Sequence, residues 1–217
     1  MRKTIKWNLA QKAELTWWKN YLRGKDDAEY LVWKKNYWNS LLSEIAESCT
    51  VNNGMNVLDA GCGPAGIFIA LPNCSVDAVD PLMNDYEKNL SHFSKADYPN
   101  VEFHHSPLET YSSNKQYDVI FCLNAINHVS DINLSYDHLT SMLKPGGKMV
   151  VSIDAHNFLF FKYLFRIIPG DILHPHQYDL NEYSSFLTER NCKIVGTKRL
   201  KHEFIFDHYV HIAERIG

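Results

Sequence analysis

The run Val57-Leu58-Asp59-Ala60-Gly61-Cys62-Gly63-Pro64-Ala65-Gly66 carries residue types that hold a nucleotide-like ligand. It reads as a short buried strand closing on an acid, then a glycine-rich turn, then a helix from Ala65. Glycine lets the backbone turn sharply and approach a ligand with no Cβ in the way. A helix start beyond the turn leaves unpaired N–H groups aimed at the same space. The glycine spacing alone would equally suit a dinucleotide. Asp59, just before the turn, can accept from a cationic amino group. A second acid, Asp80, closes Val76-Asp77-Ala78-Val79 and precedes Pro81. A carboxylate at that strand end is placed to hold both hydroxyls of a ribose.

Histidine is the side chain suited to moving a proton near neutrality. His128 follows Asn124-Ala125-Ile126-Asn127, and His174 and His176 flank Pro175. These three are the candidate bases, with Asp154 and His156 on the same edge. Apart from His-Pro-His nothing has metal-ligand spacing, so no metal is expected.

These residues need a frame that brings strand ends together. Strand patterns fall at 56–60, 75–80, 101–104, 117–123, 148–153, 192–199 and 203–211. Helical patterns fall at 65–71, 84–95, 132–143, 155–167 and 179–190. Alternation through the first five strands argues for a parallel sheet covered by helices on both faces. The last two strands, separated by Leu200-Lys201-His202, read as an antiparallel hairpin. Residues 1–50 read as a helical cap in which Trp38, Leu41, Leu42 and Ile45 share a face that docks on the core. Tyr21, Tyr30 or Trp33 would then close the ligand site from the cap side. Residues 51–217 form the main domain. Within it, residues 155–178, rich in aromatic and aliphatic side chains over 155–169, read as a lid over an apolar or aromatic substrate, with a core helix or a surface that touches a membrane or a partner as alternatives.

Taken together, these motifs resemble the class I S-adenosylmethionine-dependent methyltransferases over about residues 55 to 154. Val57 to Gly63 is similar to the family's first motif, and Asp80 to its ribose-binding acid. Tyr117-Asp118-Val119-Ile120-Phe121-Cys122-Leu123-Asn124 resembles the fourth strand, and Leu143-Lys144-Pro145-Gly146-Gly147-Lys148 the turn before the fifth. A dehydrogenase reading gives no reason for this later pair. The resemblance implies a doubly wound α/β fold of Rossmann-like type, with seven mostly parallel strands. It implies S-adenosyl-L-methionine as cofactor, held by Asp59, Gly61, Cys62, Gly63, Asp80, Pro81 and Asn124, with Tyr30 from the cap. It also implies an adenine beside Ser106, Pro107, Leu108 and Glu109, where many relatives carry an Asp. Methyl transfer then requires alignment of nucleophile, methyl and sulfur, and a base only if the nucleophile must lose a proton.

Bulk properties narrow the partners. The chain has 217 residues, 45% of them hydrophobic, and a net charge of −3. The absence of a long basic run disfavours nucleic acid and favours a small-molecule acceptor over a protein or RNA. A non-catalytic, cofactor-binding relative is the alternative from outside enzymology. Five scattered cysteines argue against a disulfide framework, and no apolar run approaches membrane-spanning length. A cytoplasmic protein is the expectation.

Overall fold

A computed structural model describes residues 2–156, 178–203 and 206–217. The N-terminal helices are α1 (Arg2–Leu22) and α2 (Asp27–Glu44). The connection between them turns at Gly24, whose φ is +76°, and Asp26 starts α2 by accepting from the Glu29 N–H at 2.9 Å. Five parallel strands follow: β1 (Asn56–Ala60), β2 (Ser75–Val79), β3 (Val101–His104), β4 (Tyr117–Cys122) and β5 (Leu143–His156). Helix α3 (Met83–Asn89) lies after β2 and α4 (Ile132–Ser141) before β5. Helix α5 (Leu180–Thr188) precedes β6 (Cys192–His202) and β7 (Phe206–Arg215).

The seven strands are ordered β3-β2-β1-β4-β5-β7-β6. Pairings from β3 through β5 are parallel, whereas β7 is antiparallel to both β5 and β6. The period of two along each strand divides the core in two. Val57, Val119, Phe121, Val150 and Ile212 join the cluster covered by Trp38 and Leu41 of α2 and by Ile45, which caps its end. Leu58, Ile120, Cys122, Val151 and Ala213 face the other way, toward Tyr136 and Leu139 of α4 and Tyr183 and Leu187 of α5. Strand order reverses direction between β1 and β4, so the crevice beyond their carboxyl ends is the natural ligand position.

Several boundaries differ from expectation. The helix expected over 65–71 is two short 3-10 turns, Gly63–Ala65 and Ile67–Ala70. Gly66 between them is extended (φ −70°, ψ −176°), which breaks the helical path. The helix expected over 84–95 ends at Asn89, because Leu90 is extended. Strand β5 begins at Leu143 rather than at 148, and Leu200, Lys201 and His202 belong to β6 rather than to a turn. Register shifts at Ile194/Gly196 and Arg199/Lys201 let β6 and β7 stay paired over that longer span. The lid and helix expected beyond His156, with His174 and His176, lie outside the described residues. Among the described residues no helix is long and apolar enough to cross a membrane, and all five cysteines are free and buried.

Candidate functional site

The glycine turn is tied to the end of β2. Gly61 and Cys62 both donate their N–H to the Val79 carbonyl, at 2.8 and 3.1 Å. The next N–H, from Gly63, donates to Asp80 Oδ2 at 2.9 Å, and Leu82 N–H donates to Oδ1 at 2.8 Å. These bonds take two of the carboxylate's four lone-pair sites, and the Tyr86 hydroxyl is a further neighbour that favours its charged form. Gly61 has φ +72°, and a Cβ there would lie 2.3 Å from the Ala125 Cβ. The turn thus packs against the loop after β4, with no room for a side chain.

These elements surround one cavity. Its walls include Gly61, Cys62, Gly63, Asp80 and Pro81 from the first two strand ends, and Pro107 and Leu108 from the loop after β3. Leu123, Asn124, Ala125 and His128 contribute from the loop after β4. Asn124 adopts φ +54° and is held by Ser152, whose Oγ accepts the Asn124 N–H at 2.6 Å and lies 3.1 Å from its Oδ1. Glu109 also lines the cavity, but its Oε1 accepts from Ser130 N–H, Ser130 Oγ and Asp131 N–H. Its carboxylate therefore braces the loop ahead of α4.

Three sequence candidates sit elsewhere. Asp59 is buried behind the turn, where Oδ2 accepts from Phe68 N–H at 3.0 Å, and it does not line the cavity. Ser106 turns its hydroxyl to the Pro107 carbonyl and to Thr110. Tyr30 packs edge-on against Tyr21 and His92 and borders a separate shallow cavity with Tyr21 and Trp33. The α2 residues that reach the main cavity are Lys34 and Trp38, so Tyr30, one turn earlier, has passed its rim.

Sequence reasoning missed the contribution of α1, which lays Trp7, Gln11, Glu14 and Trp18 over the cavity. No local signal marks these residues, because their aim depends on how α1 docks. The Gln11 Oε1 is buried with no hydrogen-bond partner among the described residues. Charge is concentrated here. Burial pushes Asp80 up to about 6 and Asp59 up to about 7. Burial, then repulsion from Asp80, pushes Glu14 up to about 7. Burial lowers Lys34 to about 8, against the pull of Asp59. The Cys62 thiol is held well above its usual range by burial, which makes it a neutral wall rather than a nucleophile.

A cation, two carboxylates, an orphaned acceptor and indole walls thus meet beyond the reversal of strand order. The profile of a family described as a methyltransferase domain matches residues 30–204. The chain belongs to this family, within the class I S-adenosylmethionine-dependent methyltransferases. It is 32% identical over 160 residues to a ubiquinone biosynthesis O-methyltransferase of Rickettsia typhi, covering 67% of this chain and 63% of that one. A ubiquinone biosynthesis O-methyltransferase of Nitrobacter winogradskyi is 30% identical over 145 residues, covering 62% and 53%. The chain spans about half the length of the curated relatives it matches. The crystal structure of magnesium protoporphyrin IX methyltransferase from Synechocystis PCC 6803 with bound SAH superimposes with a TM-score of 0.65 at 17% identity, covering 98% and 99%. That likeness concerns the fold.

Proposed function

We propose that this chain is an S-adenosylmethionine-dependent O-methyltransferase acting on a small molecule. The observation that carries the reading is the convergence of the glycine turn, Asp80 and the end of β4 on one cavity. The donor set fits the group. Asp80, with acceptor capacity beyond its two backbone bonds, would accept from the ribose hydroxyls. Lys34 would face the carboxylate of the amino-acid end, and Pro107, Leu108 and Trp18 would enclose the flat adenine. The unpaired Gln11 oxygen is available to an amino donor. When bound, the cofactor supplies an activated methyl on a positively charged sulfur. The residues around it, Asn124 among them, would orient the cofactor and exclude water.

The hydroxyl acceptor is supported by the O-methyltransferases among the relatives. A small acceptor fits the net charge of −3, which gives the chain no overall attraction for RNA phosphates. Five unpaired thiols suit a reducing compartment such as the cytoplasm. Calorimetric titration with S-adenosylhomocysteine, with NAD as control, tests the cofactor reading. Binding of the first alone is the expected result. Binding of neither would sink the enzyme reading and favour an interaction role.

A further inference from the structure

Tyr21, Tyr30 and Trp33 lie outside the cavity at the glycine turn, yet they are gathered in one place. They line a shallow cavity where α1 gives way to α2, together with Lys25, Asp26 and Glu29. The Tyr21 and Tyr30 rings meet edge to face, at 76° with centroids 6.3 Å apart. Trp33 continues the Tyr30 wall, tilted 33° from it at 6.0 Å. Two aromatic walls therefore stand nearly at right angles. Tyr30 is buried whereas Trp33 is half-exposed, so the corner opens to solvent on the Trp33 side.

A cation already rests in this corner. Lys25, directly after the left-handed turn at Gly24, holds Nζ 3.5 Å from the Tyr21 ring centroid and 5.7 Å from that of Tyr30. The two acids of the cavity do not hold it there. Asp26 turns Oδ1 to the Glu29 N–H at the start of α2, and among the described residues the Lys25 ammonium forms no ion pair with either acid. The ring faces, negative at their centres, are what attract it. Asp26 and Glu29 add negative charge at the rim.

We propose that this corner is a binding site for a small quaternary ammonium compound, which displaces Lys25 from the Tyr21 face. The site shares no wall residue with the cavity at the glycine turn, so the proposal does not rest on the methyltransferase reading. A quaternary ammonium has no N–H groups to satisfy and spreads its charge over its methyl groups. It therefore gives up hydration more readily than the compact, strongly hydrated ammonium of a lysine. Lys25 is exposed and its stem is flexible, so its head can swing into water as the ligand enters. A primary amine has no such advantage over Lys25. The charged side chains of the cavity all lie within residues 25–29, which leaves nothing to read along an extended peptide and favours a small molecule.

The test titrates choline into the full chain and follows the choline methyl proton resonance. Aromatic faces shield a group held over them, so the bound methyls should shift upfield. The wild type should bind choline about fivefold or more tightly than its uncharged isostere, with carbon in place of nitrogen. Trp33→Leu, at an exposed position, should weaken binding severalfold. Lys25→Ala should do the opposite and tighten it, because the internal competitor is gone. Saturating S-adenosylhomocysteine should leave these affinities unchanged, and both variants should bind that compound as the wild type does, which also reports an intact fold. Equal affinity for choline and its isostere, or no tightening in Lys25→Ala, overturns the proposal. Displacement of choline by the homocysteine derivative does so too, since it would put the cation in the cavity at the glycine turn. If a trimethyl-lysine peptide binds more tightly than choline, the occupant is a protein tail and the small-molecule assignment falls. If the homocysteine derivative fails to bind while choline behaves as described, the cofactor reading falls and the cation site stands.

Discussion

Glu14 of α1 and Asp80 at the end of β2 line the same cavity, two carboxylates close enough to oppose each other's ionisation. Lys34 of α2 is the cation of that cavity, lowered by burial to about 8. In the proposed site, cofactor binding would need Asp80 charged to accept from a diol and Lys34 charged to meet a carboxylate. Affinity for S-adenosylhomocysteine should therefore be greatest between about pH 6 and 8 and fall on both sides. Glu14→Gln removes the repulsion, so the acidic limb should move to lower pH. Lys34→Met should abolish the alkaline limb and weaken binding about tenfold, the loss of a charge-assisted bond of about 1.4 kcal/mol. Calorimetry from pH 5 to 9 (about the useful range of the fold's carboxylates and lysine) checks all three outcomes.

Gly61 and Gly146 share a left-handed backbone, φ +72° and +75°, but not their surroundings. A Cβ at Gly61 would meet the Ala125 Cβ at 2.3 Å, whereas nothing lies within 4 Å of one at Gly146. Gly146→Ala should cost only backbone strain, about 1 kcal/mol. Gly61→Ala adds overpacking of about 1–3 kcal/mol and displaces the loop after β4. Denaturant melts of the two variants should separate by that second contribution, and only Gly61→Ala should also weaken S-adenosylhomocysteine binding. Equal destabilisation would mean the close packing of the turn is not maintained in solution.

The parts of this site legible in the sequence are those set by local pattern. Strands β1, β2 and β4 are short runs rich in buried apolar residues, with Asp59 next to last in β1 and Asp80 directly after β2, so their carboxyl ends and Asp80 could be placed from the chain alone. Tertiary docking is different. Lys34 and Trp38 face the cavity while Tyr30 on the same stripe passes it, and only the seating of α2 decides which. Glu14 and Gln11 depend likewise on where α1 crosses. Asp59 looked like a ligand contact, yet it faces Phe68 because Gly66 interrupts the expected helix and folds that segment back.

Asp59 carries a stability prediction with a definite sign. Its folded value of about 7 lies above the ordinary 3.8, so the folded state holds a proton that the unfolded chain releases between those values. Stability is therefore unaffected by this group below about pH 4 and is lost as pH rises toward 7. Asp59→Asn keeps an oxygen to accept from Phe68 N–H without the buried charge. It should stabilise the protein at pH 8, with an upper limit of about 4 kcal/mol from the shift, and leave stability near pH 4 almost unchanged. Urea unfolding at both pH values measures the difference. Equal effects at the two would show that Asp59 does not titrate in the folded protein.

Trp38 joins the helical cap to the ligand turn by one bond. Its buried indole Nε1–H donates to the Ala65 carbonyl at 3.0 Å, and Ala65 ends the first 3-10 turn after Gly63. That carbonyl has no helical partner beyond it, because Gly66 is extended. Trp38→Phe removes the donor and leaves a buried acceptor unmatched, a cost of about 1–3 kcal/mol, together with the loss of indole volume from the core. Because Ala65 and Trp38 both line the cavity, the turn should also lose its fixed position. The variant should melt lower and bind S-adenosylhomocysteine more weakly. Tyr37→Phe, one position earlier but on an exposed site, should do neither. If Trp38→Phe were destabilised with cofactor affinity intact, the bond would belong to the core alone, and the glycine turn would hold its shape through Val79 and Asp80 without help from α2.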